Sequence, residues 1–483
     1  MRTMADNKLQ KYFTWVYLIL ICTLLPLYMQ NGYYKLGEAK GIAFMVMGGI
    51  FAVGTLALLI KDLPSVLRAA ELVDYAVLVF LFSNVLTFIF SIDKKTGFFG
   101  LEGWRMGFLS YLLMIVGFYG FKEGIRVNKL ILASIFVAPA AEFVLGILNR
   151  FGIYPMEIYG RDTSFLATIG NINWYVGFLS IFVPLGIGLG YTRRIFSRGF
   201  FFMAGFTLMG LVILFLQGSD SGLLVAIASY LLLLFVSLEI RDGFKRFLLQ
   251  LMILGLAIEV VCILMLLIGK MYNYDQSIVM WVTEGHKGLI VLALGFFLYR
   301  LSRFFEEIKG KWRGKLFLEF LVGVLIVGAI VIIIFAMGPV DYSFGNGRGV
   351  IWSISLDLFK ELSPWQKLTG SGHDCFYNFA YSNPEIAGSL LEIFDGNRLT
   401  NAHCELLTIL IEHGLFGLFS YLLLIGASLY SFWKNKRKSA AVICALPVFA
   451  YFINGLVSFS TPISTPYLFI MLGVGAHYCR KRD

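Results

Sequence analysis

The chain has 483 residues, of which 58% are hydrophobic, 16% aromatic and only 14% charged, against roughly 25% charged in an average globular domain. That composition excludes a soluble globular enzyme and points to a polytopic membrane protein. The net charge of +10 is no sign of nucleic acid, because basic residues gathered beside anionic lipid account for it.

In chain order, the first apolar run, 13–29, follows a short basic stretch and contains Pro26. No small-residue cleavage site follows it, so it reads as a retained signal anchor. Runs long enough to cross about 30 Å of hydrocarbon continue at 41–60, 74–91, 104–121, 129–148, 171–190, 200–217, 222–238, 247–269, 286–301, 316–337, 414–432, 439–457 and 463–479. The run at 286–301 is the weakest. The expected fold is an all-α polytopic membrane protein of about 12–14 transmembrane helices, a single membrane domain over 1–483, with one large exterior loop containing short amphipathic helices.

Lys and Arg concentrate in short cytoplasmic connections. With the N-terminus inside, those connections are Arg2 to Lys11, Lys61 and Arg68, Lys122 to Lys129, Arg193 to Arg198, Arg241 to Arg246, Arg300 to Lys315, Lys434 to Lys438, and Arg480 to Arg482. They hold 27 of the 40 basic residues and leave 13 outside. Both termini are therefore expected in the cytoplasm of a cell whose inner membrane this protein spans.

Of six cysteines, Cys22, Cys262, Cys444 and Cys479 fall in or at the ends of spans, where a thiol packs as a small hydrophobe. Cys375 and Cys404 fall on the expected outer side, where a disulfide can persist. Either they are bonded, clamping the far end of the loop, or they are two free thiols; spacing alone does not choose.

The glycine-punctuated stretch from 338 to 402 carries the chemistry. After Gly345-Asn346-Gly347-Arg348-Gly349, apolar residues recur at Ile351, Ile354, Leu358 and Leu362 up to Pro364. That is the spacing of an amphipathic helix, whose apolar stripe is expected to lie on the outer ends of the spans. A helix start, its free amide groups and the guanidinium of Arg348 suit a phosphate. Asn401 is expected to cap a helix beginning near His403, with Glu405 in its first turn. Transfer of a sugar from a lipid diphosphate needs a cation for the leaving group and a base for the acceptor hydroxyl. Arg is the planar, permanent cation and His the base, a role contributing roughly 10²–10⁴-fold. Arg348 and His403 are the catalytic candidates.

Other chemistries lack their residues. There is no Asp-x-Asp pair, and His286, His373, His403, His413 and His477 form no H-E-x-x-H pattern, so no metal is expected. No G-x-x-x-x-G-K-[ST] loop exists for nucleotide hydrolysis. GSDSG at 218–222 reads either as an edge of the substrate site or as a polar turn. Glu259, inside a span, is a functional candidate or a hydrogen-bonded structural carboxylate. A transporter or flippase without covalent chemistry is the alternative class.

The order RDTSFLATIGNINWYVGFL (161–179), GNGRGVIW, LTGSGHDCF, then His403-Cys404, nine residues, Gly414 and Gly417 resembles the O-antigen ligase and polymerase family of membrane glycosyltransferases, over 161–430. The resemblance implies a GT-C-like fold and transfer or polymerisation of a glycan from undecaprenyl diphosphate, without a metal or other cofactor. It places the reaction at the outer face of the cytoplasmic membrane, for cell-surface polysaccharide, with a glycan or lipid-glycan acceptor and membrane lipids as the other partners. His403 matches the family's loop histidine and Arg348 its loop arginine. Arg161, Arg105, Asp220, Asn173, Trp352 and Glu405 are the expected substrate-binding residues. Two departures stand out: Cys404 replaces an amide or hydroxyl, and Asp220 stands where the family carries an arginine, so either Arg161 or Arg105 supplies that charge or the donor is held differently.

Overall fold

In a computed structural model, residues 8–126, 129–274, 278–308, 347–394, 396 and 398–480 are described. The expected span at 316–337 and the loop residues 338–346 lie outside them. The protein is an all-α polytopic membrane protein. Among the described residues nine helices are long and apolar enough to cross a membrane, and every other expected span is also helical.

The first half contains α1 (Lys8–Leu27), α2 (Leu36–Lys61), α3 (Leu63–Arg68), α4 (Leu72–Ile89), α5 (Lys94–Phe99), α6 (Phe108–Gly124), α7 (Lys129–Ser134), α8 (Val137–Arg150) and α9 (Ile172–Thr192). A minimal antiparallel hairpin, β1 (Phe165–Leu166) and β2 (Gly170–Asn171), pairs Phe165 with Asn171 just ahead of α9. Then come α10 (Arg198–Leu216), α11 (Ser221–Glu239), α12 (Gly243–Ile268), α13 (Ile278–Thr283) and α14 (Lys287–Ile308). The loop supplies α15 (Arg348–Glu361), α16 (Pro364–Thr369), α17 (Phe376–Ala380), α18 (Pro384–Ile393) and α19 (Glu405–Glu412). The chain closes with α20 (Gly414–Lys434), α21 (Ser439–Gly455) and α22 (Thr465–Cys479).

The most enclosed helix is α9, apolar around its whole circumference and buried along almost all its length, as a helix must be when it has neighbours on every side. Its glycines let the neighbours in. A methyl group on Gly188 would press on the backbone of Ile443 in α21, and one on Gly186 on Phe206 and Thr207 in α10. Small residues at crossings are the usual means of bringing helices together in lipid, where burial of apolar surface gives no preference for a helix over a lipid tail. The helices α6, α21 and α22 have 17, 17 and 15 residues. At 1.5 Å per residue they fall short of about 30 Å of hydrocarbon, and most of their residues face protein.

Successive connections alternate between two ends of the bundle. At one end, Lys122 pairs with Asp74 at 2.6 Å, Arg480 with Glu123 at 3.0 Å, and Arg246 donates to the carbonyl of Arg193 at 2.9 Å. At the other, Ile92 N–H reaches the Ser371 carbonyl at 2.9 Å and Tyr33 N–H the Tyr159 carbonyl at 2.9 Å. The second is the loop end.

The loop has its own small core, in which Ile351, Leu358, Phe376, Ala380, Leu390, Leu399, Ala402 and Ile411 are buried together. The stripe of α15 therefore packs chiefly on α19 and the other loop helices, correcting the expectation that it lies on the span ends. The reason is supply: α17, α18 and the 399–402 turn offer apolar partners that no local pattern around α15 reveals. Two glycines anchor the loop to the bundle. Gly370 and Gly414 both have positive φ (83° and 71°), and a side chain on either would collide with backbone next to the other, at Glu412 for Gly370 and at Leu368 for Gly414.

Candidate functional site at the loop end

His403 sits in a turn just before α19 with φ 47°, a left-handed conformation in which histidine is one of the more tolerated non-glycine residues. Asn401 makes the turn: its Oδ1 accepts the His403 N–H at 2.9 Å. The cap position of α19 itself is Cys404. This corrects the expected capping role of Asn401, whose side chain is spent on the turn that aims His403. The imidazole packs edge-on against Phe459, with ring centroids 5.1 Å apart, and Phe459 in turn meets Trp104 at 5.2 Å and Trp104 meets Trp174 at 5.7 Å. Burial among these rings, then the positive charge of Arg348, hold the imidazole down to about 4, so at neutral pH it is an uncharged proton acceptor.

Arg348 is the first residue of α15, directly after Gly347 at φ 84°. Its guanidinium donates to Asn173 Oδ1 at 3.4 Å, and Asn173 lies in the first turn of α9, whose start Asn171 caps by accepting the Asn173 N–H at 2.9 Å. Burial lowers the guanidinium from its ordinary value and the charge of Asp220 opposes that. Asp220 immediately precedes α11, and its Oδ1 accepts the Val279 N–H of α13 at 3.4 Å. The 218–222 stretch is thus the turn between α10 and α11 and the first residues of α11, and the charge of its aspartate reaches Arg348. Trp352 follows Arg348 by one helical turn, on the same face of α15.

The remaining predicted residues go elsewhere. Arg105 is bound by Glu38, its Nε 2.9 Å from both carboxylate oxygens. Arg161 is exposed and lies over the ring of Tyr154 at 5.1 Å. Of the three arginines considered, Arg348 is the one whose charge acts on His403. Glu405 is buried, and its Oε1 accepts the Ser460 hydroxyl at 2.6 Å; burial pushes it up to about 7, with Ser460 opposing.

A cavity of about 20 Å³ is lined among others by Trp104, Asp374, Asn401, Glu405, Glu412 and Phe459, with neither His403 nor Arg348 among its lining residues; it is room for about one water molecule. Three carboxyl groups edge it. Asp374 Oδ2 accepts the Leu101 and Met106 amides at 2.6 and 3.1 Å; burial raises it to about 6 against those two bonds. Glu412 accepts the Phe376 N–H at 3.2 Å and is raised by burial and then by Asp374. Behind them His413 packs on His373, ring centroids 4.5 Å apart, and His373 Nε2 meets Asn84 Oδ1 at 2.9 Å. Sequence reading missed Phe459, Ser460 and Trp104, because nothing local to the short 456–464 connection or to residue 104 signals that they meet residue 403. Asp374 had a signal, its place in the glycine turn TGSGHDCF.

Cys375 and Cys404 are both free and buried. Burial pushes their thiols up to about 12 and about 11. A third cluster was not foreseen: Glu259, Cys262 and His286 come together at the α12–α14 hairpin.

Fold and site define a multi-pass membrane protein whose folded loop carries a buried histidine, His403, within electrostatic reach of the Arg348 guanidinium. No protein-family model matches the chain, and no curated protein is similar enough to match it.

Proposed function

We propose that the protein is a membrane glycosyltransferase, similar to the O-antigen ligases and polymerases, that moves a glycan from a polyprenyl diphosphate such as undecaprenyl diphosphate to a glycan or lipid-glycan acceptor. The observation that carries the reading is that the charge of Arg348, from the opposite end of the same loop, acts on the buried His403, with the guanidinium hydrogen-bonded to Asn173 and within the field of Asp220. The excess of basic residues at the opposite end supports a loop end facing outward across a cytoplasmic membrane, with both termini inside.

In the transfer, the acceptor oxygen forms a bond to the anomeric carbon while the bond from that carbon to the diphosphate oxygen breaks. The acceptor hydroxyl proton passes to the His403 imidazole, and Arg348 takes up the charge of the departing lipid diphosphate. The two steps support each other. A dianionic diphosphate against Arg348 cancels the charge that depresses His403, so the imidazole becomes a stronger base when donor is bound. In this reading Glu405, Asn173 and Trp352 would contact sugar or phosphate, whereas Arg105 is held by Glu38 and Arg161 lies over Tyr154. A donor has to open the aromatic lining around Trp104 and Phe459, since the cavity holds only water-sized groups.

The test is replacement of His403 by Ala, and separately of Arg348 by Ala and by Lys, in protein verified to reach the membrane. Surface glycan is expected to fail in both alanine variants and to recover little with Lys, which lacks the planar fork. Full-length glycan in both alanine variants would overturn the enzyme reading and leave transport without covalent chemistry as the better account.

A further inference from the structure

We propose that Glu259, Cys262 and His286 form a binding site for one zinc-class divalent cation at the loop end of the α12–α14 hairpin. One ligand atom from each, a carboxylate oxygen, a thiol sulfur and an imidazole nitrogen, falls within 4.8 Å of the others. His286 Nδ1 is 2.6 Å from Glu259 Oε1 and 3.9 Å from Cys262 Sγ. Zinc takes nitrogen and oxygen at about 2.0–2.2 Å and sulfur at about 2.3 Å, so the N to S edge of a tetrahedron is roughly 3.5 Å and the N to O edge close to that. The sulfur edge is nearly in place, and the oxygen has to withdraw by less than about 1 Å.

Independent features point to a ligand here. Glu259 is 6% exposed, inside an apolar helix, and its second oxygen Oε2 is buried with no hydrogen-bond partner among the described residues. An intramembrane carboxylate left half satisfied is costly, whereas a cation takes up that oxygen's charge. The backbone is shaped to bring the three together. Gly288 allows α14 to lie directly on α12, because a side chain there would collide with the backbone of Glu259 and Gly255. His286 adopts φ 56° at the turn into α14, which turns its ring back over Glu259. Next to Cys262 is a cavity of about 350 Å³ that also touches Thr283 and Glu284, so a three-ligand site would keep its fourth position open to water or an exogenous ligand. His286 is half-exposed, which gives the ion a route in from the aqueous side.

Nitrogen, sulfur and oxygen in one set match zinc better than the all-oxygen preference of magnesium or calcium. A zinc-class ion holds cysteine as thiolate, so binding displaces the thiol proton of Cys262. The site stands apart from the transfer chemistry and does not rest on it. Its structural effect is to brace α13, whose first turn is tied to Asp220.

The test uses full-length protein in lipid nanodiscs, stripped with chelator and titrated with Zn²⁺ against a competing indicator, with Co²⁺ as the optical probe. One equivalent per chain is expected, with a thiolate-to-cobalt charge-transfer band, and Cys262→Ser and His286→Ala should each weaken binding by at least about tenfold. Absence of stoichiometric uptake, or uptake of unchanged affinity in either variant, would overturn the proposal and leave a simple Glu259–His286 hydrogen bond. Because His286 is half-exposed, its variant keeps the test independent of core packing; Cys262→Ser removes the optical band even if the fold loosens slightly.

Discussion

Replacing Arg348 by Gln removes one positive charge that acts on His403 while keeping a polar, uncharged side chain. In the unmodified protein the imidazole sits at about 4, first through burial and second through Arg348. At pH 5.5 an ordinary histidine near 6.5 would be only about 9% neutral, whereas one at 4 would be about 97% neutral. A base that must be unprotonated therefore keeps nearly its full kcat/KM at pH 5.5 in the unmodified protein, since that quantity reports the free enzyme. Removing Arg348 favours the protonated form, so the acid limb moves to higher pH. The same sign governs stability: a folded-state value below the unfolded one makes the folded protein lose stability as pH falls from about 6.5 through about 4. The assay is a histidine-selective NMR titration of protein in nanodiscs, with the His403 signal assigned by its loss in His403→Ala. The expected result is titration near 4, moving upward in Arg348→Gln. Titration near 6.5 in both proteins would refute the claim that burial and Arg348 set this group.

Gly370→Ala should loosen the loop from the bundle. Its φ of 83° costs a non-glycine residue about 1–3 kcal/mol, and the added carbon also meets the Glu412 carbonyl. Faster proteolysis within 347–402 than in a Gly388→Ala control, whose added carbon meets nothing, is expected; equal rates would contradict the anchoring. The Cys375 and Cys404 thiols should resist alkylation in the native protein and both become modified on denaturation without reductant, as mass spectrometry reads out. A requirement for reductant would contradict the free thiols.

Much of the fold was legible because lipid imposes length. Every apolar run within the described residues became helix, and Ile351, Leu358 and Leu362 are buried as their spacing implied. Which partner those residues meet was not legible, since α15 found its neighbours in α19 and in residues up to sixty positions away. Arg348 and His403 could be nominated from residue chemistry and a shared loop. Phe459, Ser460 and Trp104 could not, because the 456–464 connection and the segment before α6 come together at residue 403 only in the folded bundle. The Glu259–His286 contact spans 27 residues and depends on two glycines allowing two helices to touch, which no pattern of apolar residues encodes. Arg105 and Arg161 illustrate the converse: charge in an outer segment predicts a cation, but Glu38 and Tyr154 decide where it is spent.

The central claim is that the loop end breaks a sugar to diphosphate bond. Its most direct measurement is release of free polyprenyl diphosphate from purified protein in liposomes supplied with the lipid-linked glycan and acceptor. Release matched by growth of the acceptor, and lost in both His403→Ala and Arg348→Ala, is the predicted result. Movement of intact donor across the bilayer with no free lipid diphosphate, or release unchanged in both variants, would contradict it.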